Sequence, residues 1–188
     1  YPLEEKTVTS LPGQWRSIWL HVELDATILA GTYAVNVGFQ SAEGEKLGEE
    51  TLELTVLGAS LPKQKLIHTE WFHTDCLATQ YNVTVFSEEH WKLIGDFIET
   101  AVNHGINMIL TPVFTPPLDT KIGGERPTVQ LVEVEVAGDT IDGNTTYHFN
   151  FTKFERWVAL CLSKGAEYFE ISHLFTQWGA KHTPKIIA

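Results

Sequence analysis

Residues 68–78 read HTEWFHTDCLA and gather two histidines, two acids, a tryptophan and a cysteine into one short run. Those side chains can ligate a metal, exchange protons with a substrate, or hydrogen-bond and stack on a polar ligand. Two later stretches carry a thinner version of the same mixture. INMILTPVF, residues 106–114, contributes Thr111; AEYFEISHLF, residues 166–175, contributes Glu170 and His173, with Gln177 and Trp178 close behind.

Metal is the weakest reading. His68, His73, Asp75, Cys76 and His173 are ligand types, yet the chain has no H-E-x-x-H and no Cys/His pairing of zinc-finger spacing. No metal and no cofactor is expected. A sugar site combines aromatic platforms with carboxylates and hydroxyl or amide groups, and here Trp71, Tyr81, Phe114 and Trp178 stand beside Glu70, Asp75 and Glu170. Glu70 and Glu170 have the chemistry of a glycosidase acid/base pair. The plain alternative is a set of satisfied polar groups at strand ends, with the tryptophans as core. Recurrence at three strand ends favours a site.

The elements that must position these groups follow from periodicity. In the first sixty residues, QWRSIWLHVEL, AGTYAVNVGFQ and ETLELTVLG alternate apolar and polar residues as half-buried strands do. Gly-rich turns between them point to an antiparallel sandwich, of which about three long strands are visible. At GASLPKQK, residues 58–65, the pattern changes. KLIHTEW reads as a strand, FHTDCLATQYNVTV as a loop, and a helix then begins with Ser87 as N-cap and Glu88 and Glu89 in its first turn. Phe86 can staple onto Trp91, and Gly105 follows the last turn. INMILTPVF is a buried strand. A second helix, TKFERWVALCLSKG, has Thr152 and Glu155 at capping-box spacing and leads into the buried strand AEYFEISHLF. Between these units VQLVEVEVAGDTIDGNTTYHFNF reads as an inserted hairpin.

Alternating β and α elements imply a parallel sheet, doubly wound or barrel. No G-x-G-x-x-G or G-x-x-x-x-G-K-[ST] follows a strand, which weakens a nucleotide-binding reading. A full (β/α)₈ domain takes roughly 250 residues, so residues 62–188 hold the first part of one. Polar side chains are costly against packed helices, which places His68 and Glu70, Asn107 and Thr111, and Tyr168, Glu170 and Ser172 on the barrel-interior face. The loops that follow add His73, Asp75, Thr115, His173, Gln177 and Trp178, at the strand ends where barrel sites are built.

Bulk properties narrow the partners. With 43% hydrophobic and 11% aromatic residues the chain can bury a real core. Its 24 acids against 13 Lys and Arg give a formal charge of -11, which repels nucleic acid and anionic membranes. No run reaches the roughly 18 apolar residues of a membrane span. Cys76 and Cys161 read as free buried thiols, and the sequons at Asn82, Asn144 and Asn150 as chance. No signal peptide is visible, which favours a cytoplasmic location. The chain starts without Met and reads as a piece of something longer.

EWFHTDCLATQYNV, NMILTPVFTPPLDT, ERPTVQLVEVEV, YHFNFTKFERWVALCLSKG and FEISHLFTQWGAKHTPKI together resemble bacterial proteins related to glycoside hydrolase family 123, whose active members are β-N-acetylgalactosaminidase-like. The resemblance spans residues 62–188, and the preceding sheet looks like the β-sandwich that comes before the barrel in this group. It implies a (β/α)₈ hydrolase acting on a terminal 2-acetamido sugar by substrate-assisted, retaining hydrolysis. An adjacent Asp-Glu pair serves there: the Asp orients the acetamido group and the Glu is the general acid/base. This sequence contains no Asp-Glu dipeptide, so no catalytic residue carries over.

The expectation is therefore an α/β chain: residues 1–61 a β-sandwich segment, and residues 62–188 the first part of a (β/α)₈ TIM-barrel glycoside hydrolase domain with a β-hairpin insertion. Glu70, Trp71, His73, Asp75, Thr111, Glu170, His173 and Trp178 would line a carbohydrate-binding rim. The isolated polypeptide should lack turnover and need the remainder of its polypeptide to close the barrel. The alternative is a non-catalytic carbohydrate-binding or scaffold protein built on the same fold.

Overall fold

The structure, a computed structural model, describes residues 7–25, 27–115, 124, 126–137, 145–175 and 183–188. The chain divides into two compact units, Tyr1–Lys63 and Gln64–Ala188. It mixes helices with small sheets, each of two strands among the described residues.

In the first unit, β1 (Gly31–Gln40) and β2 (Lys46–Val56) form an antiparallel hairpin with Tyr33 opposite Leu54 and Val35 opposite Leu52. Period-2 alternation sets that register, since a slip of one residue would move every apolar side chain to the other face. Gly44, at φ +86°, makes the turn, a conformation that costs other residues a Cβ clash. Residues 14–24, expected to be a strand, join no ladder: alternation marks a strand's faces, but a strand exists only when another pairs with its backbone. Trp15 and Trp19 there are almost wholly exposed.

The second unit contains α1 (Thr74–Tyr81), α2 (Glu88–Asn103), β3 (Met108–Thr111), β4 (Glu133–Ala137), β5 (Thr146–Asn150), α3 (Thr152–Ser163) and β6 (Tyr168–Ile171). α1 occupies what the sequence reads as a loop. Its short run TDCLATQY ends at Asn82, whose left-handed backbone (φ 54°) closes the last turn on Ala78 and Thr79. α2 begins as expected: the Ser87 side chain accepts the His90 N–H, and Phe86 stacks on Trp91 at 5.1 Å. α3 departs from the capping box. Asn150 Oδ1 accepts from both the Thr152 N–H (2.9 Å) and its hydroxyl (2.7 Å), while Glu155 N–H goes to the Phe151 carbonyl. The capping side chain thus stands two residues before Thr152, because the short Asn side chain ending β5 reaches those donors first.

β3 and β6 pair in parallel, Leu110 opposite Glu170 and Thr111 opposite Ile171. β4 and β5 form the inserted hairpin, antiparallel from Glu133–Asn150 to Ala137–Thr146. KLIHTEW lies beside β3 without forming a ladder strand; it is tied there through His68 and Leu66. The core joins helices to one face of the parallel pair. Ile94 and Ile98 of α2, Trp157 and Cys161 of α3, and Ile109 of β3 are at most 1% exposed, with Phe169 of β6 packed against them. Burying each of the larger side chains contributes about 1.5–3 kcal/mol. The helices meet closely at Gly95, where a Cβ would stand 3.2 Å from Leu160 Cδ1.

Candidate site at the end of the parallel strand pair

The parallel register decides which polar residues can meet. Partners across a ladder share a face, so Glu170 lies with Leu110, and Thr111 lies with Ile171 on the opposite face. Thr111 is fully buried and its hydroxyl accepts the Trp157 indole N–H at 3.2 Å. Its expected place on the rim is thereby corrected. A hydroxyl can face helices when a partner satisfies it, and Trp157 supplies that partner. Ser172 and Thr115 are also internal: Ser172 donates to the Phe114 carbonyl, and Thr115 Oγ1 accepts from Val129 N–H at 2.8 Å.

Asp75 moves inward as well. It sits in the first turn of α1, 3% exposed, where Arg126 Nη2 approaches its two oxygens at 3.1 and 3.0 Å and Arg126 Nε approaches Oδ1 at 3.3 Å. A carboxylate buried this deeply is held by its counter-charge and is closed to a ligand. Arg126 was not foreseen. It is one basic residue in a loop, with no periodicity to mark it as internal, and only the fold sets it beside Asp75. The same Nη2 lies 2.9 Å from Cys76 Sγ. Cys76 is exposed rather than buried, whereas Cys161 is buried as expected, and both are free thiols.

Three of the expected residues do converge. Trp71 Nε1 donates to Glu170 Oε2 at 2.7 Å across ninety-nine residues of sequence. His173 packs its ring edge-to-face on Trp71, centroids 5.0 Å apart and planes at 73°. Trp71 remains 43% exposed, so the indole keeps an open surface. The bond to Oε2 orients the Glu170 carboxylate, and its Oε1 has no partner among the described residues. An oriented acceptor beside an open indole is a fitting surface for a ring bearing hydroxyls on its edge and C–H bonds on its face.

Glu70 is solvent-exposed and its Oε1 lies 3.4 Å from His68 Nε2, a weak contact between two exposed side chains. His73 forms the N-cap of α1 by its backbone and offers no side-chain cap. Trp178 lies outside the described residues. Among the described residues no group of three His, Cys, Asp or Glu is placed to hold a metal ion, and no helix is long and apolar enough to cross a membrane.

Comparison with known families matches residues 71–188 to "Glycoside hydrolase 123, catalytic domain". No curated protein matches the chain. The matched span is well over half of the 188 residues, begins at the tryptophan that opens the Trp71–Glu170–His173 cluster, and includes every element from α1 onward. The chain belongs to glycoside hydrolase family 123, and its substrate class is carbohydrate.

Proposed function

We propose that this chain supplies the first part of the sugar-binding rim of a hydrolase that acts on terminal β-N-acetylgalactosaminides. The observation that carries this reading is the Trp71–Glu170 hydrogen bond with His173 against the indole. On this reading Trp71 stacks on the apolar face of a pyranose and Glu170 Oε1 accepts a sugar hydroxyl. Glu70, His73 and Trp178 flank them, while Asp75 and Thr111 brace the rim from beneath.

The architecture proposed with it is a (β/α)₈ barrel begun by residues 62–188, behind a β-sandwich segment at residues 1–61. The parallel β3–β6 pair with α2 and α3 packed on one face supports it. The mechanism proposed is substrate-assisted and retaining: the acetamido oxygen attacks the anomeric carbon, an Asp steadies the acetamido group, and a Glu protonates the leaving oxygen. These 188 residues hold no Asp-Glu dipeptide, so they bind and orient, and by themselves do not turn substrate over. The same absence favours one rival, a carbohydrate-binding or scaffold protein without chemistry. Turnover by the complete protein excludes that rival.

Titration of the protein with N-acetylgalactosamine, followed by calorimetry, tests the rim. Removing a charged acceptor from a ligand hydroxyl weakens binding by about 10- to 100-fold, the loss expected for Glu170→Ala. Trp71→Ala loses the stacking surface and the partner of Glu170 together. Unchanged affinity in both variants defeats the assignment.

A further inference from the structure

KLIHTEW forms no ladder strand, yet Trp71 meets Glu170 at hydrogen-bond distance, so something must fix the register of the two segments. Asn107, at the entry to β3, touches both, and it does so with its side chain as well as its backbone. Its side chain makes the bonds of a short strand: Oδ1 accepts His68 N–H at 2.8 Å, and Nδ2 donates to the Leu66 carbonyl at 3.0 Å. Its backbone N–H and that of Met108 both donate to the His68 carbonyl at 3.1 Å. On the other side, its carbonyl accepts Glu167 and Tyr168 N–H, each at 3.0 Å. One residue therefore holds the segment that leads to Trp71, three positions beyond His68, and the strand that leads to Glu170, two beyond Tyr168.

We propose that Asn107 is the positioning residue of this rim: its carboxamide substitutes for the absent ladder and sets Trp71 against Glu170. The proposal rests on the rim reading for its functional consequence, although its geometric content stands alone. The chemistry requires an amide. Asn presents one acceptor and two donors at a fixed separation, matching the N–H of His68 and the carbonyl of Leu66. Asp keeps the acceptor and sets an oxygen against the Leu66 carbonyl. Ala and Leu offer neither partner. Gln64 Nε2 also donates to the Leu66 carbonyl, at 2.8 Å, and to Gly105, at 2.9 Å, and so braces the same peptide from the side. It does not reach His68 N–H, so it cannot replace Asn107.

The test reads the Trp71 indole N–H directly by ¹H–¹⁵N NMR of the protein, with the resonance assigned by its loss in Trp71→Phe. Asn107→Ala is expected to move that resonance toward its position in Glu170→Ala, with the far-UV circular dichroism preserved. Affinity for N-acetylgalactosamine is expected to fall about tenfold. Asn107→Asp serves where the alanine variant fails to fold, and it should move the resonance in the same direction by less. A Trp71 resonance that stays at the wild-type position in either folded variant overturns the proposal. If the resonance moves but wild-type protein does not bind the sugar, the rim reading fails and the positioning role stands.

Discussion

The hairpin of residues 31–56 and the unit from Gln64 onward start from similar apolar patterning and reach opposite burial. In the hairpin Tyr33, Phe39 and Leu52 remain 40–52% exposed, although they alternate correctly and pair in register. In the second unit Ile94, Ile98 and Trp157 reach 0%. Among the described residues the hairpin is a two-stranded ribbon with no second layer over it, so its apolar side chains find neighbours only along the sheet. Helices laid over β3 and β6 enclose theirs from several directions. Periodicity selects the face; a second layer excludes the water.

The sharpest way to break this comparison is to truncate one residue in each unit. Trp157→Ala removes a buried ring and the donor to Thr111, and should cost about 3–5 kcal/mol in the urea unfolding of the second unit. Leu52→Ala in the hairpin should stay within about 0.5 kcal/mol. Equal losses would mean that the hairpin face is as well enclosed as the helical core.

Charge pairs offer a second contrast. Arg126→Ala leaves Asp75 buried without its counter-charge and should destabilise by about 3 kcal/mol, with much of that recovered when Asp75→Asn is added. The exposed Lys46–Glu49 pair of the hairpin should contribute about 0–1 kcal/mol and fade with salt. If the double variant is as unstable as Arg126→Ala alone, the stranded charge is not the cause.

The smallest expected effect is a pH dependence. Burial pushes the Cys161 thiol up to about 12, from an ordinary value of 9.0. The folded state then holds a proton that the unfolded state releases. The resulting stabilisation is complete below about pH 9 and is lost as pH rises toward 12. Urea midpoints at pH 8 and 10.5 should differ less in Cys161→Ala than in wild type. In native protein at pH 8 a thiol reagent should label Cys76, which is exposed, and spare Cys161. Rapid native labelling of both would show that the α3 core opens easily.

Much of the second unit was legible in its sequence. Ser87, Phe86 and the apolar stripe through Ile94 and Ile98 announce α2 because capping and periodicity are local. The parallel pairing of β3 and β6 was legible for another reason, the alternation of strands and helices along the chain. α1 was missed because eight residues carry little periodicity, and its end depends on Asn82 adopting a left-handed backbone. Of the candidate site, Trp71, Glu170 and His173 come together, whereas Thr111 and Asp75 turn inward. Parity along a single strand was readable. The face it corresponds to was set by the Leu110–Glu170 register, a relation between segments sixty residues apart.

By itself the sequence determined the start of α2, the alternation along the strands, the acidic charge, and the family through short segments in a fixed order. Tertiary structure alone decided that HTEWFHTDCLA divides, with Trp71 going to Glu170 and Asp75 to Arg126 four residues later. The physical reason is that hydrogen bonds and ion pairs are satisfied by whichever group the fold brings within about 3 Å. Composition lists the donors and acceptors, and only packing assigns the partners.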